Sequence, residues 1–491
     1  MEDLKVFDTE SYHIYSSLEY LILSRVKLSK IPINLRLFAM KRSFMYGLAL
    51  ASALLLTACG GDSSNNSSAA ARSIQASGAG FCTPMQGTAQ QGRVVTSWKT
   101  APGDALITHP ISGLTVRQSF APHWAGNVVR LRLSNRYSSL PVTFTNIHLA
   151  EEAAPGSANM VPNTECLLTF NGQPSVTLQA GETVVSDWIT YPVEAFRRVG
   201  VSFYAPGLTP QVTRHLNANE VLYLSLPGDH TSSADGSMFI AAPEGYTANF
   251  LVIEALEVLA PKNVSTVVAV GDSITDGSDS TTAFLSGQGS PLVATDQRYP
   301  NHLQRRFNSA GMPFTVANAG IGGNELLRDG WLPQFGKALL TRFDADVLQT
   351  QGVSHVLVMI GTNDFGNPKP GQAPTSDALI AGYKELIAKA KNAGLKIILG
   401  TIPPAEGTVT ELVPVLHGTA AARRARDETN AWIRSQTLSD GMVDFEQCLE
   451  DKNRKGFLAE EYNSGDNLHP NPAGYAAMAD CVNLNLFERQ P

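Results

Sequence analysis

Residues 266–277 read TVVAVGDSITDG, a short apolar run that stops at Gly-Asp-Ser. Similar runs recur downstream at 314–317, 356–360, 396–401 and 442–445. Helical spacing separates them. A helix-like segment covers 299–309, and Leu379, Ile380, Tyr383, Leu386, Ile387 and Ala390 share one helical face, with Ser376 as its expected cap and Gly394 as its stop. Residues 420–436 read as helix, and a last helix starts after Pro472. Strands alternating with helices predict βαβ units and a parallel sheet covered on both faces. In such sheets the site lies beyond the carboxyl ends of the strands.

The residues at those ends are unusual. The first run is followed by Gly271-Asp272-Ser273-Ile274, the second by Asn318-Ala319-Gly320-Ile321-Gly322-Gly323-Asn324, the third by Gly361-Thr362-Asn363-Asp364, and the last helix is preceded by Asp466-Asn467-Leu468-His469-Pro470. Together they supply a hydroxyl, backbone N–H groups freed by glycine, a carboxamide, and a carboxylate three residues from an imidazole. Acyl transfer needs those parts: a nucleophile, a base, an orienter for the base, and donors for the oxyanion. Taken alone, Ser273 would be read as a helix cap and His469 as a surface histidine. Asp272 and Asp276 are read as shaping the turn, Asp364 as bonding nearby backbone, and His302 and His355 as structural.

The four blocks, in this order and each at a strand end, resemble the SGNH hydrolases, the GDSL esterase–lipase superfamily. The texts GDSITDG, GIGGN and SGDNLHPNPAGY are similar to a bacterial branch grouped with acetylxylan esterases. The resemblance implies a flavodoxin-like α/β hydrolase domain over 261–491. It implies Ser273 as nucleophile, His469 as base and Asp466 as its orienter. The N–H groups of Ser273 and Gly323, with Gly322 one register away, and the carboxamide of Asn363 would form the oxyanion hole. The reaction would run through an acyl-serine without metal or cofactor. The implied substrate is an acetylated polysaccharide or oligosaccharide. A lipase or short-chain arylesterase is the alternative, and a catalytically inactive glycan-binding lipoprotein is the alternative of another class.

Upstream, residues 81–260 have a different texture. Val129, Leu131 and Leu133 alternate with Arg130 and Arg132, and Val142 and Phe144 with Thr143 and Thr145. Val199, Val201 and Phe203 repeat the period, and 250–259 reads as a further strand. Turn clusters such as Asn171-Gly172 separate such runs. This predicts an antiparallel, jelly-roll-like β-sandwich. Trp98, Trp124 and Trp188 read either as core aromatics or as platforms for sugar rings. The polar loop 278–297 is placed at the border of the pocket.

Further upstream, residues 40–61 read MKRSFMYGLALASALLLTACGG. A basic pair precedes an apolar run too short for a comfortable membrane span, the layout of a secretory signal peptide. Leu56-Thr57-Ala58-Cys59 resembles the bacterial lipoprotein box, in which the cysteine becomes the lipidated N-terminus. The expected organisation is a mis-called extension over 1–39, a signal peptide over 40–58 and a flexible tether over 59–80. The protein is then expected to be exported and held to a membrane only through its lipid. Apart from Cys59 there are four cysteines, an even number that suits an oxidising compartment. Three pairings are possible. The local one joins Cys82 to Cys166 and Cys448 to Cys481, one bridge per body.

Of 491 residues, 16% are charged, with a formal net charge of −7. Nucleic-acid binders need a basic face, so that class is set aside. No P-loop, dinucleotide or zincin motif occurs, nor the G-x-S-x-G of the α/β-hydrolases.

Overall fold

The computed structural model describes residues 82–84, 92–105, 110–242, 249–281, 292–368, 372–408 and 416–488. The leader, Cys59, the tether and the middle of the 278–297 loop lie outside the described residues. Among the described residues no helix is long and apolar enough to cross a membrane.

The parallel sheet has five strands. Across it run Phe314–Gly320, Ser265–Gly271, Val353–Met359, Lys396–Gly400 and Gly441–Val443. In chain order this is 2-1-3-4-5, the flavodoxin-like arrangement, whose switch point falls beside the first strand. Side chains alternate across the pleat. Val268 and Val270 face the core of helices Ser376–Asn392 and Ala420–Ser435, while Val267 and Ala269 face that of Tyr299–Ser309 and Pro472–Asp480. The first of these helices starts one residue earlier than expected. Thr375, not Ser376, is its cap, and its hydroxyl accepts from Ala378 N at 3.2 Å.

Two antiparallel sheets form the N-terminal body. The first runs Arg93–Lys99, Ile253–Ala260, Gly126–Ser134, Ile189–Val193, and the second Leu114–Phe120, Val199–Ala205, Val142–Glu151, Ser175–Leu178. Successive strands cross between the sheets in the order of a jelly roll, and the aliphatic and aromatic core lies between them. Trp98 belongs to that core, stacked 4.0 Å from Phe120, and Trp124 packs against it. Trp188 lies under the Arg130 guanidinium at 4.5 Å. Disulfides join Cys82 to Cys166 and Cys448 to Cys481.

The described residues, sandwich and parallel-sheet body together, pack as one compact unit. The strand Arg93–Lys99 lies along the amino-terminal half of the parallel sheet. Arg93 donates to Ser265 Oγ at 2.8 Å, Thr96 N to Thr266 Oγ1 at 3.1 Å, and Thr315 Oγ1 to Thr96 O at 3.1 Å. A buried chain of charges crosses the same boundary. Lys99 pairs with Glu254 (2.9 Å), Glu254 with Arg136 (3.0 Å), Arg136 with Asp346 (2.6 Å), and Asp346 with Arg342 (2.9 Å).

Candidate active site

Ser273 opens a single helical turn, Ser273–Asp276, directly after the first parallel strand. The Asp272 carboxylate caps the turn by accepting from Ile274 N at 3.0 Å. Gly271 is required by packing, because a Cβ there would stand 1.9 Å from Met359 O on the neighbouring strand. Arg342, buried, donates to Gly271 O (2.9 Å), Ala319 O (2.8 Å) and Asn324 Oδ1 (3.0 Å), and so ties the ends of two strands together beneath the serine.

His469 approaches from the turn before the last helix. Its Nε2 lies 2.8 Å from Ser273 Oγ, and its Nδ1 lies 2.6 Å from Asp466 Oδ2. Asp and His three residues apart face each other because the Asp466 carboxylate folds the turn itself. Its Oδ1 accepts from Leu468 N and His469 N, each at 2.8 Å, and from Ser464 Oγ at 3.1 Å. Asn467 between them takes a left-handed φ of 62°, which asparagine tolerates. The turn is therefore held by this carboxylate.

The electrostatics suit proton transfer. Burial would favour neutral imidazole, but the hydrogen bond and charge of Asp466, with Asp279 and Asp272 behind it, hold the His469 pKa above the ordinary value. Burial would also raise Asp466. The hydrogen bonds from the His469 ring and from two backbone N–H groups outweigh it and keep this carboxyl below the usual range. Asp466 is thus anionic wherever His469 titrates.

Gly323 and Asn363 follow the carboxyl ends of the second and third parallel strands in the chain. Gly323 has φ 72°, and a Cβ on it would sit 2.2 Å from the Phe335 ring. Within the described residues the N–H groups of Gly322 and Gly323 meet no acceptor. Asn363 Nδ2 donates to Asn324 O at 3.1 Å, and its Oδ1 accepts from His417 Nε2 at 3.2 Å. Burial pushes the His417 pKa down to about 3, so this ring is neutral and can hold the carboxamide in one orientation. Asp364 next door accepts from Leu326 N (2.8 Å) and Leu327 N (3.1 Å), the structural task expected of it.

His417, Arg342, Asp279 and His215 escaped sequence reading. His215 comes from the sandwich. Its Nε2 reaches Asp276 Oδ1 at 3.0 Å, immediately behind the serine turn. None of the four sits in a strand-end block, and each acts across a large separation in the chain. Asp279, Asp466 and His469 form the one cluster among the described residues with metal-ligand spacing. The relay to Ser273 already occupies both nitrogens of His469, so the cluster needs no cation to explain it.

Residues 269–477 match the GDSL-like lipase/acylhydrolase family model. No curated protein matches the chain. Solved structures similar to it include an acetylxylan esterase from Geobacillus stearothermophilus, with 21% identity over 46% of this chain and 97% of that one and a TM-score of 0.34. A carbohydrate acetylesterase from Sinorhizobium meliloti has 15% identity over 44% and 94%, with a TM-score of 0.33. A GDSL-like lipase from Bacteroides thetaiotaomicron has 20% identity over 45% and 87%, with a TM-score of 0.32. Likenesses this low carry no weight on substrate.

Proposed function

Because the second body is a GDSL-like lipase/acylhydrolase domain, a carboxylic ester hydrolase, we propose that this chain removes O-acetyl groups from carbohydrate by way of an acyl-serine. The observation that carries the reading is the unbroken relay from Ser273 Oγ through His469 to Asp466. As Ser273 Oγ attacks the ester carbonyl, its proton passes to His469 Nε2. Asp466 faces the imidazolium that forms. The developing oxyanion is met by the N–H groups of Ser273 and Gly323 and by Asn363 Nδ2. His469 then delivers the proton to the leaving alcohol oxygen. A water, deprotonated by the same nitrogen, then attacks the acyl carbonyl, the bond to Ser273 Oγ breaks as the imidazolium returns the proton to that oxygen, and acetate leaves.

The carbohydrate side is supported by the resemblance of the block texts and by a cavity of about 440 Å³ where the sandwich meets the loop after the second strand. Tyr137, Gln211, Asp329, Trp331 and Lys337 line it. Trp331 is 37% exposed, and its Nε1 donates to Asn367 Oδ1 at 3.2 Å, at the end of the turn that carries Asn363. An aromatic face ringed by hydrogen-bonding groups is the chemistry that seats a sugar. Export as a lipoprotein belongs to the same reading, and the two disulfides favour it.

The test is a panel of p-nitrophenyl esters from acetate to palmitate, beside acetylated xylan, run with wild type and Ser273→Ala. Acetyl esters should be cleaved fastest, and the variant should lose activity by about 10⁶ while remaining folded. A palmitate optimum would replace this reading with a lipase. A folded Ser273→Ala that keeps a few per cent of turnover would remove the nucleophile. Replacing Cys59 should release soluble protein, and a chain begun at Met40 should still be exported.

A further inference from the structure

A second carboxylate stands at the same ring nitrogen. Asp279 Oδ2 lies 3.5 Å from His469 Nδ1, the nitrogen that also meets Asp466. Asp279 lies three residues past the end of the serine turn, and it is 9% exposed with φ 62°. Aspartate, like asparagine, adopts this left-handed conformation more readily than most residues. The sandwich holds the residues on either side of it. Asn219 Nδ2 donates to Gly277 O (2.8 Å) and Ser280 Oγ (3.2 Å), and Asn217 Nδ2 donates to Ser278 Oγ (2.9 Å). The Tyr475 hydroxyl of the last helix also donates to Ser278 O, at 2.5 Å.

Resting on the assignment of His469 as the base, we infer that Asp279 is a second positioning carboxylate for that histidine, and that the sandwich segment 217–219 sets its place. Asp466 takes the short hydrogen bond, and Asp279 adds charge at longer range. When His469 accepts the Ser273 proton, the imidazolium faces two carboxylates instead of one. The other titratable groups facing His469 are Asp272, under the serine turn, and His417, which is neutral. Burial lifts the Asp279 pKa to about 6, so the group is anionic at neutral pH. The sandwich is then part of the catalytic apparatus through the turn it grips, whatever it does for the substrate.

Asp279→Asn isolates the charge, because asparagine accepts the same left-handed backbone. The experiment measures kcat/KM for p-nitrophenyl acetate against pH in wild type, Asp279→Asn, Asp279→Gly and Asn219→Ala, with melting temperatures alongside. Removing a carboxylate lowers the His469 pKa, so the acid limb of Asp279→Asn should move to lower pH by about one pH unit. Its plateau kcat should fall about threefold to tenfold. Asn219→Ala should move the limb the same way by a smaller amount. The glycine variant, which also accepts the left-handed backbone, must show the same displacement. An acid limb that superposes on wild type in either folded Asp279 variant overturns the inference, even if the melting temperature drops. Failure of the underlying assignment looks different. In that case wild type itself shows no histidine-type limb, and Ser273→Ala stays active.

Discussion

Strands in the two bodies are buried in different ways. The parallel strand Ser265–Gly271 is buried at all seven positions, because helices cover both faces of its sheet. The sandwich strands Ser175–Leu178 and Ile189–Val193 alternate, with one face toward the core and the other toward water. Two sandwich strands break that rule. Arg93–Lys99 is buried over its last five residues and Ile253–Ala260 at all but one position. Their outer face lies against the parallel-sheet body, and it carries Lys99 and Glu254, which take part in the charge chain to Asp346 and Arg342. The difference teaches that the sandwich is not a detachable binding module. One of its faces is interior to the enzyme, and its loops reach the turn that bears the serine.

The most severe way to break the comparison is to remove the sandwich. A chain beginning at residue 261 would expose Thr266 and Thr315 and leave Asp346 without Arg136. It should fail to fold as a soluble, cooperative unit, read by circular dichroism and thermal melting. A folded, fully active fragment would show the two bodies to be independent.

Next in size is a single cut through the boundary. Asp346→Ala leaves Arg342 and Arg136 facing an empty partner site. Breaking a buried ion pair costs about 3–5 kcal/mol. Denaturant titration should show that loss, and activity should fall with it because Arg342 also holds Gly271 O.

The comparison sharpens where the effect is on chemistry alone. Asn363→Ala should lower kcat by about 10²–10³ with little change in KM, since the carboxamide acts on charge that develops in the transition state. His417→Ala should reproduce part of that loss, because it frees the carboxamide to turn. A rise in KM at constant kcat would make Asn363 a substrate-binding residue.

The smallest effect belongs to the outer sandwich. Trp188→Ala removes the ring under Arg130, a contact worth about 0.5–1 kcal/mol at an exposed site. Melting temperature should shift slightly and turnover on acetylated xylan should hold. A marked rise in KM on xylan alone would restore Trp188 as a sugar platform.

Much of this molecule was legible in one dimension. The apolar runs at 266–270 and 356–360, each ending in glycine and a polar residue, predict a parallel sheet with its site at the strand ends, because backbone periodicity and turn chemistry act between near neighbours. The alternation of Val129, Leu131 and Leu133 predicts a half-buried antiparallel strand for the same reason. Ser273, Asn363, Asp466 and His469 stood out because they lie in three short blocks. The structure brings Ser273, His469 and Asp466 into contact and ties Asn363 to His417 and Asn324. What no local pattern held was the support. Arg342, His417, Asp279 and His215 are ordinary residues in ordinary text, and each matters through a partner fixed only when distant segments pack. Their hydrogen bonds depend on angles and on exclusion of water, which are properties of the closed structure. The amino-acid order thus determined which elements form and which groups the site holds. Tertiary packing alone decided that the sandwich would close over the sheet, grip the turn at 277–280 and bring a second carboxylate to the histidine.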